Sequence, residues 1–411
     1  MKLLFIGTEV ALKNSPEGIV SRSIIEGFIQ NNWTVDLISP HMSINPRDFG
    51  INQHYTISTG FLFNKLQKKI SGVEGGDFLK KCCGILEDIN LADYNVIFLR
   101  SDPVSIHSIA VHINKKYGIR CVCSFGDVGS VNPYYSKMGI AQLRKKNLGA
   151  IEREVIASGN IITQTNSRSI SLYKQNGFDV SRFFVLPNPI AHTSQGNSTI
   201  PVSESNYPKN IVDAYNNIAS STKGKQYNFA FLGSLYGDRK PDQMFKFFSQ
   251  YENVSVHIFG GVRNILYEKK GFFYRMLKES GLKKIKEVAV KNSFNNVHIW
   301  PFMPMPVVSK LIDENFDAVI NIDANFSPNP FLSSKVVQYI SYDKPVINFS
   351  NTGATTDLLE EAGITYFVDY QPTIKNIPIE NLLRTCTPSI DIKDRYTAKS
   401  IVGKFLSEIN L

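Results

Sequence analysis

The sequence predicts an α/β protein of two doubly wound domains, each with a parallel sheet covered on both faces. The chain has 411 residues, more than one hydrophobic core usually supports, so two domains are expected. Short, wholly apolar runs alternate with longer amphipathic ones, as strands buried on both faces alternate with crossover helices. The pattern stops at residues 187–208, rich in Asn, Ser, Thr and Pro without an apolar period, and then restarts. That composition marks a surface connection between domains.

In order along the chain, strands are expected at residues 3–6, 35–38, 96–99, 120–124, 160–163 and 183–186. A helix is expected over residues 18–31, with Ile19, Ile24, Ile25, Phe28 and Ile29 apolar. After the polar stretch, strands are expected at 228–232, 254–259, 298–300, 318–322, 346–348 and 366–367. The tail 394–411 reads as a last helix, in which the cap residue Thr397 precedes Ile401, Val402, Phe405, Leu406 and Ile409 at helical spacing. These readings divide the chain into a first domain (1–190), a linker region (191–225), a second domain (226–392) and the final helix (393–411). Doubly wound domains take ligands at the C-terminal edges of their strands.

Hydrophobic residues at 43% and charged residues at 20% are ordinary for a soluble globular protein. No apolar run approaches the ~20 residues that span a bilayer. The opening MKLLFIGTEV is cut short by Thr8 and Glu9, so it reads as a buried first strand and not as a signal peptide. A cytoplasmic protein is expected. Cys82 and Cys83 are adjacent, Cys121 and Cys123 alternate within an apparent strand, and Cys386 stands alone. None sits at disulfide-redox or zinc spacing, so plain thiols and no metal site are expected.

The net charge is +9, and the first 200 residues carry 21 Lys/Arg against 15 Asp/Glu. That bias suits an anionic substrate or an anionic membrane. No nucleic-acid-binding pattern is present, so nucleic acid is not expected as a partner. Residues 61–83 place Phe61, Leu62, Phe63, Leu66 and Ile70 near one helical face beside Lys65, Lys68 and Lys69. Two readings fit, a helix lying on an anionic membrane and a solvated helix with its apolar side on the core. A second basic run, 269–286, is expected to be a solvated helix face.

Four segments carry candidate chemistry. In FLSSKVVQYISYDKPVIN, residues 331–348, a helix opens with Ser333, Ser334 and Lys335. That start offers backbone N–H groups, hydroxyls and a cation to a phosphate. One turn on, Gln338 is placed to hydrogen-bond a polar group such as a ribose. In FAFLGSLYGDRKPDQMF, residues 229–245, a strand ends, Gly233 and Ser234 turn, and Arg239 and Lys240 follow. An arginine fork matches phosphate oxygens in pairs. The loop after the first strand ends at Gly18, which either lets a ligand approach the backbone or forms a crossover turn. It lacks the G-x-G-x-x-G of dinucleotide sites. In residues 98–135, Asp127 follows a strand and either holds an acceptor hydroxyl or caps a turn. His107 either hydrogen-bonds a sugar or serves the structure, and His112 is expected on the surface. Asp323 ends the strand at 318–322.

The first segment resembles the nucleotide-sugar signature of family 4 glycosyltransferases of the GT-B fold, in the bacterial form SK-x-x-E-Y-x-x-x-G-K-P-V-I. Ser334, Lys335, Tyr339, Lys344, Pro345, Val346 and Ile347 match, while Gln338 replaces Glu and Asp343 replaces Gly. The family's E-x7-E pair falls on Pro330 and Gln338, so neither carboxylate is present. Ser101, Pro103, Ser105, His107, Phe125, Asp127, Asn132, Pro133 and Tyr134 match a second pattern of these bacterial enzymes.

The resemblance implies two Rossmann-like domains facing across a cleft, with the last helix crossing back to the first domain. It implies transfer of a sugar from a nucleotide-sugar to a saccharide or lipid-linked saccharide, with retention and with no cofactor or obligatory metal. The expected setting is assembly of lipopolysaccharide O-antigen, capsule or exopolysaccharide at the inner face of the plasma membrane. By the same resemblance Asp127, Arg239 and Lys335 are catalytic. Gly233, Ser234, Lys240, Asp323, Ser333, Ser334 and Gln338 bind the donor, and Gly18, Ser101 and His107 the acceptor. Two alternatives remain: another GT-B enzyme, such as an inverting transferase or an epimerase, and a nucleotide-sugar-binding subunit without turnover.

Overall fold

The structure is a computed structural model that describes residues 1–12, 15–42, 45–58, 76–101, 104–136, 140–191, 201–224, 227–233, 235, 239–260, 283–301, 303–370 and 377–411. It separates into two compact units. The first comprises Met1–Ala191, Pro330–Ser334 and Asp394–Leu411, the second His192–Asn329 and Lys335–Lys393.

The first unit is built on strands β1 (Lys2–Gly7), β2 (Thr34–Pro40), β3 (Ile51–Ile57), β4 (Val96–Arg100), β5 (Val122–Ser124), β6 (Ile161–Gln164) and β7 (Phe183–Val185). Their order is β3-β2-β1-β4-β5-β6-β7, and every neighbouring pair is parallel. β4, VIFLR, is buried along its whole length, because helices cover both faces of the sheet. On one face lie the helix Pro16–Gln30 and the last helix, Ala398–Glu408. These two come very close: a Cβ on Gly27 would lie 2.4 Å from the Ala398 carbonyl oxygen. Thr397 opens the last helix, its Oγ1 accepting from the Ser400 N–H at 3.2 Å.

β3 was not expected from the sequence. Its INQHYTI is polar and partly exposed, as suits the edge of a sheet with a neighbour on one side only, so it lacks the apolar run that betrays a central strand. The strand expected at 366–367 is corrected as well. There the chain makes a single parallel bridge, Val368 to Phe349, too little pairing to build a strand.

The second unit holds β8 (Tyr227–Leu232), β9 (Val254–Phe259), β10 (Val297–Trp300), β11 (Ala318–Ile322) and β12 (Val346–Phe349), in the order β10-β9-β8-β11-β12. All four pairings are parallel. Within residues 191–225 the helix Lys209–Ser221 packs Val212 and Ile218 inward, as part of this second unit. In both sheets one strand starts the winding in two directions, β1 towards β2 and β4, β8 towards β9 and β11. Strand order therefore reverses between β1 and β4, and between β8 and β11, the places where loops part and ligands enter.

Two histidines are built into these cores as neutral rings. The Trp300 Nε1–H donates to His257 Nδ1 at 3.0 Å, and His257 Nε2 lies 3.2 Å from Ser255 Oγ. The Ser255 hydroxyl in turn donates to Asn228 Oδ1 at 2.7 Å, a chain that places the ring proton on Nε2. Burial, with His298 alongside, holds the His257 pKa down at about 3. Burial, with Arg100 nearby, does the same to His107, also to about 3. An ordinary histidine ionises at 6.5, so between the two values the unfolded chain binds more protons than the folded one. Stability is thus expected to fall as pH drops from 6.5 towards 3, by up to about 1.4 kcal/mol per pH unit for each ring. Urea midpoints at pH 7 and pH 5 test this, and His257→Gln, which takes up no proton, is expected to lose part of the slope.

Candidate functional site

The reversal point of the second sheet gathers most of the expected donor residues. β8 ends at Leu232, and Gly233 follows at φ +119°, a backbone conformation that favours glycine. The Gly233 N–H donates to the Phe259 carbonyl at 2.8 Å, which pins the turn to the end of β9. A Cβ on Gly233 would lie 1.7 Å from Lys335 Nζ and 2.7 Å from Cε. The lysine side chain therefore lies across the glycine, where no other residue leaves room. Tyr339, one turn along the helix Ser334–Tyr339, is buried and its hydroxyl approaches the Leu232 carbonyl at 3.5 Å. Helix and strand end are thus fastened together beside the lysine.

Across the reversal point, Asp323 follows β11. Its N–H donates to the Phe349 carbonyl at 2.9 Å, and its carboxylate accepts from Asn321 Nδ2 at 3.0 Å. Thr355, in the helix Ala354–Glu361, also hydrogen-bonds this carboxylate. Burial raises the Asp323 pKa, while these hydrogen bonds and the Arg239 charge oppose the shift. Arg239 also acts on Lys335, whose pKa falls to about 8, chiefly through burial and secondly through this neighbouring cation. Arg239 thus acts electrostatically on both Asp323 and Lys335.

Lys240 and Gln338 belong to the same unit. Lys240 is exposed beside half-buried Arg239, and Ser234 lies outside the described residues. Gln338 is buried, and its Nε2 donates to Ser341 Oγ at 2.9 Å. Ser333 is buried and Ser334 begins the helix, but the segment Pro330–Ser334 packs as part of the first unit. Thr355 was missed in the sequence. Its signal is the Gly353 that opens its helix, where a Cβ would meet the Asn329 carbonyl oxygen at 2.5 Å.

In the first unit the reversal point is organised by Arg100 and Glu17, neither of which the motifs single out. Arg100 ends β4 and is only 2% exposed. Its Nε donates to Glu17 Oε1, its Nη1 to Ser124 Oγ at 2.7 Å and its Nη2 to Asn188 Oδ1 at 3.4 Å. One guanidinium therefore joins β4, β5, the start of the first helix and the chain beyond β7. An arginine ending an apolar run reads as an ordinary surface cation, so only its partners reveal it. Gly18 is buried here, and a Cβ would lie 2.4 Å from the Glu9 carbonyl oxygen. The close approach at this glycine is thus to the chain's own loop.

Ser101 Oγ lies 2.9 Å from His107 Nε2. The His107 ring is wholly buried against Phe125, 4.9 Å between centroids, and Ser101 is buried with it, so neither of these expected acceptor residues is presented at the surface. Asp127 is exposed on the loop after β5. Glu152 fixes the far end of that loop, accepting from the Ser130 N–H at 3.1 Å and from the Tyr173 hydroxyl at 2.6 Å. His112 stacks edge-on beside Tyr117.

Among the described residues, no group of three or more His, Cys, Asp or Glu is gathered to hold a metal, and the five cysteines are free. Of the basic-aromatic stretch, 61–75 lies outside the described residues, as does 269–282 of the second basic run. Residues 76–83 belong to the helix Gly76–Asp88, which buries Phe78, Cys82 and Leu86. Among the described residues no helix is long and apolar enough to cross a membrane.

No family model and no curated protein matches the chain. Solved structures do. Anabaena HepE, crystallised with UDP, is 12% identical over 100% of this chain and 100% of its own, with a TM-score of 0.64. Sucrose-phosphate synthase from Thermosynechococcus elongatus is 10% identical over 100% of this chain and 98% of its own, with a TM-score of 0.68. A glycosyltransferase from Rickettsia africae is 10% identical over 99% and 97%, with a TM-score of 0.64. Likeness at such low identity is likeness of fold: two Rossmann-like domains of the GT-B kind.

The packing of Lys335 on Gly233 yields a direct expectation. Gly233→Ala must displace the lysine and hold alanine at an unfavourable φ, at a cost of about 1–3 kcal/mol. A urea midpoint equal to that of the wild type would show that the lysine does not pack there.

Proposed function

We propose that this protein is a glycosyltransferase that moves a sugar from a nucleotide-sugar to an acceptor hydroxyl. The observation that carries the reading is the placement of Lys335 across Gly233, beside Arg239 and Asp323, at the reversal point of the second sheet. A pair of partly desolvated cations at that position suits a diphosphate leaving group, whose charge grows as the sugar–oxygen bond breaks. Support for a uridine donor comes from neighbours of the same fold: HepE is crystallised with UDP, with UDP-glucose, and with UDP and glucose, and Staphylococcus aureus MnaA with UDP.

In this reading Lys335 and Arg239 stabilise the departing diphosphate. Gly233, Ser234, Lys240, Ser333 and Ser334 line the donor, and Gln338 exchanges its Ser341 partner for a ribose hydroxyl. Asp323 anchors the strand end and moderates the cationic field. Asp127 orients the acceptor hydroxyl. The diphosphate leaves with the bonding electron pair, and the acceptor proton passes to a phosphate oxygen on the same face, which gives retention. Synthesis of cell-surface polysaccharide, on a saccharide or lipid-linked acceptor at the inner membrane face, is the setting we propose. A subunit that binds nucleotide-sugar without turnover is the second reading. It is favoured by Gln338 standing where the second family carboxylate would be, and absence of UDP-sugar hydrolysis would support it.

The electrostatics give a sharp test. Lys335 loses its proton at about 8 in the free protein, so UDP affinity is expected to be flat near pH 7. Above pH 8 it should weaken by up to about tenfold per pH unit. Calorimetric titration from pH 7 to 9.5, where the phosphates stay ionised, reads this directly. Lys335→Met is expected to weaken binding and remove the pH dependence; a wild-type profile flat to pH 9.5 would refute the role of Lys335.

A further inference from the structure

The helix Ile140–Ala157 of the first unit carries Arg144, Lys145, Lys146 and Arg153. Leu143, Lys146, Ala150 and Arg153 recur along it at helical spacing and are all exposed, so they form one solvent-facing stripe. A solvated helix face ordinarily interleaves charges of both signs. Here the nearby carboxylates are engaged elsewhere. Glu152 turns inward, accepting from the Ser130 N–H at 3.1 Å and from the Tyr173 hydroxyl at 2.6 Å. Glu154 pairs with Lys115 at 2.8 Å, and Asp179 accepts from the Ser181 N–H at 2.9 Å. Among the described residues, Lys145, Lys146 and Arg153 are exposed and form no ion pair.

These three cations border a cavity. It has a volume of about 390 Å³ and lies between the helix, the loop after β5 and the chain just beyond the helix Ser167–Gln175. Small-ligand sites occupy roughly 300–1,000 Å³. Val131 and Phe178 give the cavity an apolar wall. The helix can lie so close to the loop because residue 149 is a glycine, where a Cβ would come 3.3 Å from the Ser130 Cβ. The Arg153 guanidinium lies over the Phe178 ring, 4.3 Å from its centroid. Stacking uses the face of the guanidinium and leaves its N–H edges for a ligand. Three like charges around one cavity repel one another, and an anion between them replaces that repulsion with attraction.

We propose that this cavity is a binding site for a phosphate group, carried either by a small soluble ester or by the headgroup of an anionic lipid. Arg153 grips paired phosphate oxygens, and Lys145 and Lys146 add charge beside them. Val131 and Phe178 pack against the carbon skeleton that bears the phosphate. All of these residues belong to the first unit, so the site is separate from Lys335 and stands whether or not the glycosyltransferase reading does.

Ala150→Glu is the deciding variant. The position is exposed at the cavity, and a glutamate one turn from Lys146 supports the helix while opposing an anion. Lys146→Ala removes one cation. Lys399→Glu, at an exposed position on the last helix, takes away more charge elsewhere on the same unit and serves as control. All are made in a Lys335→Met background, which excludes phosphate held at the donor site. Glycerol phosphate is titrated by calorimetry, and phosphatidylcholine vesicles with and without phosphatidylglycerol are tested by co-sedimentation. Lys146→Ala is expected to weaken binding about fivefold and Ala150→Glu at least as much, with little change in Lys399→Glu. Glycerol phosphate binding with this response assigns the site to a soluble ester. The same response seen only with phosphatidylglycerol vesicles assigns it to a lipid headgroup. Binding of neither probe overturns the proposal, as does binding that Ala150→Glu leaves unchanged or that Lys399→Glu weakens equally. Should Ala150→Glu not fold, Lys146→Ala carries the same decision.

Discussion

Lys335 lying across Gly233 is the constraint around which the second unit is organised. A lysine held near pKa 8 instead of 10.5 carries roughly 3 kcal/mol of bias against its charged form. The fold sustains that bias by leaving no side chain at residue 233, by fastening Tyr339 to the end of β8, and by bringing the Arg239 charge to bear on the lysine.

The first unit meets the same topological situation with the opposite result. Arg100 also stands at a reversal point, but its charge is answered by Glu17 and its remaining donors by Ser124 and Asn188. That guanidinium is a clamp, and removing a partner from so buried an ion is strongly destabilising. Two sheets of one winding thus each set a cation at the point where strand order reverses.

Much of the fold was legible because central parallel strands announce themselves. LLFI, VIFL and AVINI leave few other readings, and the end of each such run locates a loop where chemistry gathers. Gly233 and Asp323 stand at the ends of such runs, whereas Arg239 and Lys335 were singled out by a basic loop and a helix start that resemble the family's donor segments. Signals that depend on a neighbour were not legible. The edge strand β3 is polar because it pairs on one side only, and the apolar run at 366–367 suggested a strand where the chain makes just the bridge at Val368. Arg100 and Glu17 look like surface charges until each is seen to be the other's partner. His107 looks like a ligand-facing side chain until Phe125 is packed over it.

The sequence alone determined that there are two parallel-sheet domains, where their strand ends fall, and which loops carry cations, because these follow from local runs of apolar and polar residues. The tertiary structure alone decided that Lys335 rests on Gly233, that Arg239 and Asp323 join them, and that Pro330 and Phe331 are seated in the first unit. The reason is strand order. Which strand ends become neighbours is set by how the sheet winds and reverses, a property of the whole chain that no local window contains.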